Sequence, residues 1–515
     1  MTEIEAKFII RRPEQLQKAL RVLAAHGYTI SEHGASQHVD CYYDTQNWSI
    51  AAAGWACRLR HRDDANTLTL KSLHGADADS NVFVRAEINQ RTKPQEITSP
   101  LHLPPGPVRD ELDDLLEGMD AEELFRVCSR RTIYELEKKA PSPVRLELDL
   151  DETRIEADKR TEKASGRLAF TELELELKSG DAADVESAAG FLRDEAGLTP
   201  AQFSKFERGL QAAGVELDAI LLTTESHTLT EDDPVLRLLY QYLEEQSKIV
   251  WRQHPRALEG IDPEGVHQMR VASRRLRALL KTFKEIFGND VVARFNNELR
   301  WLARNLGRAR DADVTEQGTR DAEHVAADHY EQYLGEETIS AYEHLVEILQ
   351  CERCAALEDE VARFVSAGPT AEMQERVGNL SIRDCAREYV GAALQTLLAH
   401  GDSIDAGSPA KRLHKLRLET KRFRYLLDFF SAVQPEKWAK TTEAVKQLQD
   451  VLGEHQDAVT AQARLSDYAA LVPMDESGRD KLLATGRLMQ KEDERIAATR
   501  QQFVATWSVF REMVA

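Results

Sequence analysis

Two stretches near the middle of the first half carry a charge at every second position and an aliphatic side chain between. Arg145, Glu147, Asp149 and Asp151 alternate with Leu146, Leu148 and Leu150, and Glu172, Glu174 and Glu176 alternate with Leu173, Leu175 and Leu177. A two-residue period is that of an extended strand, whose side chains point to opposite faces in turn. The opening stretch follows the same rule, with Glu3, Glu5 and Lys7 on one face and Ile4, Ala6 and Phe8 on the other. Arg58, Arg60 and Arg62 share a face, as do Arg85 and Glu87. Strand-like runs cover 3–8, 37–43, 55–62, 67–73, 82–89, 128–136, 144–151 and 168–178, which makes eight. Turn chemistry separates them, as in Asp63-Asp64-Ala65-Asn66 and the proline-rich 100–107. Helical patterns fall at 13–26, 110–117, 181–195 and 203–213.

A solvated one-sided sheet also alternates, but its wet face mixes signs. Here one strand is nearly all arginine on its polar face and another all glutamate. A closed barrel fits better, with a charged lumen and an aliphatic exterior covered by helices. Acidic strands would hold metal ions and basic strands phosphates, so opposite charges are expected to meet only through a ligand. Glu3 and Glu5, about 7 Å apart on one strand face, with Lys7 next in line, suit a divalent cation and one phosphate oxygen.

From about residue 232 the period changes to three and four, so the second half reads as all helix. The stretch 216–231 reads as a linker. The helical half repeats internally: His267-Gln268-Met269-Arg270, Arg274-Arg275-Leu276-Arg277 and Leu306-Gly307-Arg308-Ala309-Arg310-Asp311 are answered by His414-Lys415-Leu416-Arg417, Lys421-Arg422-Phe423-Arg424 and Leu452-Gly453-Glu454-His455-Gln456-Asp457. The offset is 147 between the two histidines and 146 between the two glycines, which predicts repeats over about 232–370 and 371–515. His267, Arg270, Arg274, Arg277 and Lys281 are spaced 3, 4, 3, 4, and His414, Arg417, Lys421 and Arg424 are spaced 3, 4, 3, so each set forms one stripe of a helix.

Those stripes matter because the chain as a whole is acidic. It has 67 Lys plus Arg against 88 Asp plus Glu, a net charge of −21, which disfavours nucleic acid and anionic membranes as partners. Binding a polyanion requires bases gathered locally, as the stripes gather them. A hydrophobic content of 42% with 30% charged residues describes a globular protein, and 515 residues allow about two to four domains. No run approaches ~18 apolar residues, and the charged strand at residue 3 leaves no room for a signal peptide, so a cytoplasmic location is expected. The six cysteines are scattered without a zinc-ligand pattern.

Residues 1–213 resemble the CYTH superfamily, the triphosphate tunnel metalloenzymes, through Glu3-Ile4-Glu5-Ala6-Lys7, Arg58-Leu59-Arg60, Thr69-Leu70-Lys71, Arg85-Ala86-Glu87, Arg130-Arg131-Thr132, Glu147-Leu148-Asp149, Glu172-Leu173-Glu174-Leu175-Glu176 and Ser204-Lys205-Phe206. The resemblance implies an eight-stranded antiparallel tunnel over 1–215 that needs Mg²⁺ or Mn²⁺. It implies that Lys7, Arg58, Arg60, Lys71, Arg85, Arg131 and Lys205 grip phosphate oxygens and that Glu3, Glu5, Asp149, Glu172, Glu174 and Glu176 hold metal. Glu5, Lys7, Arg60 and Lys71 are the implied catalytic set. Residues 232–512 resemble the CHAD domain through HxxRxxxRRLR and LGxxRDxxV. That resemblance implies a two-repeat helical bundle binding inorganic polyphosphate along His267, Arg270, Arg274, Arg275, Arg277, Lys281 and Arg310 and along His414, Arg417, Lys421, Arg422 and Arg424. Lys421-Arg422 stands where the first repeat has an arginine pair, and Gln456 stands where it has Arg310. The expected activity is hydrolysis of tripolyphosphate. An adenylate cyclase, a thiamine triphosphatase and a non-catalytic polyphosphate-binding protein are the alternatives.

Overall fold

The computed structural model describes the chain apart from residues 1, 62–65, 74–81, 93–104, 117–118, 140–142, 159–165, 218–219, 221–228, 321–327, 406 and 515. Arg62, the Asp63-Asp64-Ala65 turn, most of the proline-rich stretch and most of the expected linker lie outside the described residues. The chain divides into two units. One comprises Met1–Glu225 together with Leu258–Asp262, the other Ser226–Ala257 and Pro263–Ala515.

The first unit is built on β1 (Thr2–Ile10), β2 (Thr29–Thr45), β3 (Trp55–His61), β4 (Asn66–Ser72), β5 (Val82–Thr92), β6 (Ala121–Lys138), β7 (Val144–Ala157) and β8 (Arg167–Ser179). They are hydrogen-bonded in the order β5-β4-β3-β2-β6-β7-β8-β1, and β1 returns to β5, so the sheet closes into an eight-stranded antiparallel barrel. Closure removes both sheet edges. A two-residue strand, β9 (Thr199–Pro200), pairs with Phe8 and Ile9. In register, Glu5 stands opposite Glu176, Lys7 opposite Glu174, and Glu3 opposite Arg85.

The alternation now has its cause. The aliphatic faces point outward under helices α1 (Pro13–Ala25), α2 (Ser49–Ala52), α3 (Pro107–Leu116), α4 (Ala182–Asp194) and α5 (Lys205–Ala213). Phe8, Leu146, Leu148, Leu173 and Leu175 pack with Leu23, Val185 and Leu192 of α1 and α4. Leu59, Leu68 and Leu70 pack with Val108 and Leu112 of α3. Phe125, Val127 and Ile155 pack with Phe206 and Leu210 of α5. Where α5 crosses β6, a Cβ added at Gly209 would overlap the Phe125 ring. Gly209→Ala should therefore lower the unfolding free energy by about 1–3 kcal/mol. A lower urea midpoint at unchanged slope is the expected reading, and an unchanged midpoint would refute this packing argument.

The second unit is helical. Its segments are α6 (Val235–Arg252), α7 (His254–Glu259, which ends in the first unit), α8 (Pro263–Thr282), α9 (Lys284–Phe287), α10 (Asn289–Arg320), α11 (Asp328–Leu349), α12 (Glu352–Ala367), α13 (Ala371–Val377), α14 (Ile382–Gly401), α15 (Ala410–Ser431), α16 (Pro435–Leu471) and α17 (Glu476–Val514). The repeat seen in sequence has a structural signature. Val235 N donates to Leu380 O at 3.1 Å and Ile382 N donates to Asp233 O at 3.0 Å. Residues 235 and 382, and residues 233 and 380, are equivalent positions of the two repeats. The reciprocal bonds mark a local two-fold relation inside one chain. Phe283, Phe429 and Phe430 meet in the core, with centroids 5.3 Å apart for Phe283 and Phe429 and 4.8 Å for Phe429 and Phe430. Among the described residues, no helix is long and apolar enough to cross a membrane.

Candidate functional site

The barrel encloses a cavity of about 370 Å³ lined by Glu3, Glu5, Lys7, Arg58, Arg60, Lys71, Arg85, Arg131, Glu174, Glu176 and Lys205, among others. Eleven of the thirteen phosphate- and metal-directed positions named from the sequence thus line it, and the other two, Asp149 and Glu172, touch lining residues. Asp149 and Glu172 are buried on inward faces, and Glu172 touches Lys205.

At one level, Lys205 Nζ lies 2.7 Å from Asp151 Oδ2, 2.6 Å from Glu172 Oε1 and 2.9 Å from Glu174 Oε1. Arg131 donates through Nε and Nη2 to the two Asp151 oxygens at 2.7 and 2.6 Å, and through Nη2 to Glu174 Oε2 at 2.5 Å. Its Nη1 donates to Asp149. Lys7 donates to Glu174 and lies 3.2 Å from Glu5 Oε2. A second group surrounds Glu5, where Lys71 bridges Glu3 and Glu5 and Arg85 Nη1 lies 3.9 Å from Glu5. A third is a clamp on Asp40, which accepts from Arg60 Nε and Nη2 at 2.7 Å each while Arg58 lies 3.8 Å away. Glu176 pairs with Lys178 at 2.8 Å.

The expectation that acids and bases meet only through a ligand is therefore overturned. They contact one another directly, because charges taken out of water need partners at hand. The electrostatics reflect this pairing. Burial raises the Glu5 carboxyl, but Lys7 and Lys71 outweigh it and hold it at about 2. Burial lowers the Lys205 ammonium, yet Asp151, Glu172 and Glu174 hold it well above the ordinary lysine range. Asp149 behaves oppositely. Burial pushes it up to about 7, only partly opposed by Arg131 and reinforced by Glu174. Its Oδ1 finds no hydrogen-bond partner, and neither do the buried Nε atoms of Arg58 and Arg85.

Asp151, Glu172 and Glu174 each offer an oxygen within 4.8 Å of the others, and all three are buried. This all-carboxylate donor set suits a hard divalent cation, so the residues present fit the implied metal. The strand alternation placed Asp151 on the charged face without singling it out; Asp149 adjoins the group through Arg131, and Glu3, Glu5 and Glu176 line the cavity beside it. Asp40 was also missed, although it shares its face of β2 with Tyr42. Arg208 was missed too; it lies on α5, buried, with Nη1 donating to Glu172 Oε2 at 2.7 Å.

In the helical unit, the stripes of the two repeats converge. Lys421 sits in the field of Arg417 on its own helix and of Arg274 and Arg270 on α8, with Asp457 of α16 opposing. Arg310 faces Arg270, whose Nη2 lies 3.5 Å from Asp311. Arg277 and Lys281 continue the row beside Arg300, a base the repeat motifs did not include. His414 Nδ1 and Gln456 Oε1 are 2.6 Å apart, and Arg424 lies 3.9 Å from Asp428. Arg275 and Arg422 turn instead toward Tyr242, Phe283 and Phe429, with Arg275 Nη2 3.4 Å from Asp428. His267 is half-buried on α8, one turn before Arg270.

Residues 1–210 match the CYTH domain and residues 241–466 match the CHAD domain. An uncharacterised protein of Mycobacterium tuberculosis is 28% identical over 282 residues, which is 53% of this chain and 52% of the relative. The chain thus spans about half the length of the relatives it matches. Among solved structures, the CHAD domain from the plant Ricinus communis aligns at 24% identity and a TM-score of 0.47, over 56% of this chain and 96% of that one. A proposed adenylyl cyclase from Hippeastrum, described as having a dominant triphosphatase activity, aligns at 20% identity and a TM-score of 0.30, over 44% of this chain and 100% of that one.

Proposed function

We propose that this chain, a CYTH domain followed by a CHAD domain, is a metal-dependent inorganic triphosphatase that cleaves tripolyphosphate to pyrophosphate and phosphate and docks on longer polyphosphate through its helical unit. CYTH-domain proteins are enzymes of phosphate chemistry. The observation that carries the reading is the single closed lumen in which Lys7, Lys71, Arg58, Arg60, Arg85, Arg131 and Lys205 surround one cavity beside the Asp151, Glu172 and Glu174 cluster.

Hydrolysis breaks the terminal P–O–P bridge. The oxygen of water joins the terminal phosphorus and pyrophosphate leaves with the bridging oxygen. Such a transfer needs positioning and charge neutralisation more than covalent help. Lysines and arginines from several strands of the barrel grip the chain along its length and hold the reacting phosphorus at one depth. Mg²⁺ or Mn²⁺ held by Asp151, Glu172 and Glu174 would neutralise phosphate charge as it develops. The rings near the cavity, Tyr42 and Phe206, are buried in a stack with Phe125, at 5.0 Å from Tyr42 to Phe125 and 5.7 Å from Tyr42 to Phe206. Charged side chains outnumber these two rings among the residues that line the cavity, which supports an inorganic chain as substrate. Comparing kcat/KM for tripolyphosphate, ATP and thiamine triphosphate tests this point. Tripolyphosphate should lead by at least tenfold, and a lead for ATP with cyclic AMP as product would move the reading to a cyclase.

The helical unit yields a pH prediction. Burial pulls Lys421 down to about 7 from its ordinary 10.5, and Arg417, Arg274 and Arg270 add repulsion. A bound polyanion favours the charged form, so binding takes up a proton above pH 7. Polyphosphate affinity should be full below pH 7 and weaken by up to tenfold per unit as pH rises above it. In the unliganded protein the same shift makes stability rise with pH over that window, because there the unfolded chain binds the extra proton. Calorimetric titration in buffers of different ionisation enthalpy reads the proton uptake directly. No uptake at pH 8 would remove Lys421 from the binding surface.

A further inference from the structure

The first unit contains a short segment far from the rest of it in sequence, Leu258–Asp262. Glu259 in that segment is 3% exposed and Arg208 is 1% exposed. Arg208 Nη2 donates to Glu259 Oε1 at 3.1 Å, while Nη1 donates to Glu172, one of the three clustered carboxylates. The guanidinium lies 4.4 Å over the Phe170 ring, which fixes its plane. The same Glu259 oxygen accepts from the backbone N–H groups of Gln202 and Phe203, just before Ser204 and Lys205. The segment is itself pinned by Arg11, whose Nη2 donates to Leu258 O at 3.0 Å and Glu259 O at 2.8 Å.

We infer that Glu259 is a positioning residue of the tunnel site: it neutralises Arg208, leaving Glu172 free to ligate a divalent cation, and it fixes the turn that carries Lys205. The inference rests on the reading of Asp151, Glu172 and Glu174 as the metal-holding group. Charge balance explains the geometry. Arg208 touches one carboxylate on each side, so with Glu259 in place the guanidinium is shared. Without the Glu259 charge it belongs wholly to Glu172 and competes with the metal at short range. Any fragment of the chain that ends before residue 258 lacks this carboxylate.

The test reads metal binding by the full-length protein, by Mn²⁺ electron paramagnetic resonance without any phosphate substrate. Glu259→Gln keeps the side-chain shape and its hydrogen bonds but removes the charge. Mn²⁺ binding should weaken on the order of tenfold. The double variant Arg208→Gln/Glu259→Gln restores the charge balance and should return binding to within about threefold of wild type. A role only in holding the fold predicts that the double variant is no better than the single one, and that result overturns the assignment. So does unchanged binding in Glu259→Gln, or no Mn²⁺ binding by the wild type. Should Glu259→Gln not fold, Arg208→Gln alone decides. It removes the competing cation, so tighter Mn²⁺ binding is expected and equal or weaker binding refutes the inference. If wild-type protein binds Mn²⁺ and the variants behave as expected while tripolyphosphate is not hydrolysed, the hydrolase reading fails and this assignment stands.

Discussion

Glu174→Gln should lower tripolyphosphate turnover by at least about 10³-fold while the far-ultraviolet circular dichroism stays native. Glu174 is the carboxylate on which the lumen converges. It accepts from Lys7, Lys205 and Arg131, and it belongs to the group suited to a divalent cation. Losing its charge leaves three lumen cations under-balanced, so they repel one another and shift from the depth at which they would hold the phosphate chain. It also removes one of three metal-directed oxygens. Truncating one member of a buried charge network costs about 3–5 kcal/mol of stability, so the assay is run well below the midpoint of thermal unfolding. A folded Glu174→Gln protein with wild-type turnover would take this cluster out of the chemistry.

Neutralising Arg270, Arg274, Arg417 and Lys421 together, each to Gln, should weaken binding of long-chain polyphosphate by at least about 10²-fold. Tripolyphosphate hydrolysis should stay within twofold of wild type. These four positions come from both repeats and meet at one place. Their convergence makes the expected loss larger than a single stripe would give. The slope of log affinity against log salt should also shrink, by about three if the chain behaves as a single-stranded polyanion. Unchanged long-chain affinity would reduce the convergence to a solvated basic face.

Much of the barrel was legible because its signal is local. Alternation in Leu146–Asp151 and Leu173–Leu177 needs only the strand period and a charged lumen to predict which way each residue points. The eight runs were correctly located, although β2, β6 and β7 extend well beyond the alternating cores that revealed them. The basic stripes of α8 and α15 were legible for the same reason, since a 3-4-3 spacing fixes one helical face.

What stayed hidden depends on contacts distant in sequence. Asp149 and Asp151 share a face, and only the register that sets Asp151 against Glu172 and Arg131 distinguishes them. Arg208 sits on an amphipathic helix where an arginine ordinarily reads as solvent-facing. Its burial follows from two carboxylates, one of them 51 positions away. The direct pairing of lumen acids with lumen bases was missed because the sequence shows which strand carries which sign but not how low the dielectric is between them. The meeting of the two stripes likewise required the reciprocal bonds of Asp233, Val235, Leu380 and Ile382.

The most direct test of the central claim is phosphorus NMR of the purified protein with tripolyphosphate, with Mg²⁺ and then with excess chelator. Conversion to pyrophosphate and phosphate in equal amounts, dependent on the metal, is the predicted result. Intact tripolyphosphate under both conditions would contradict it.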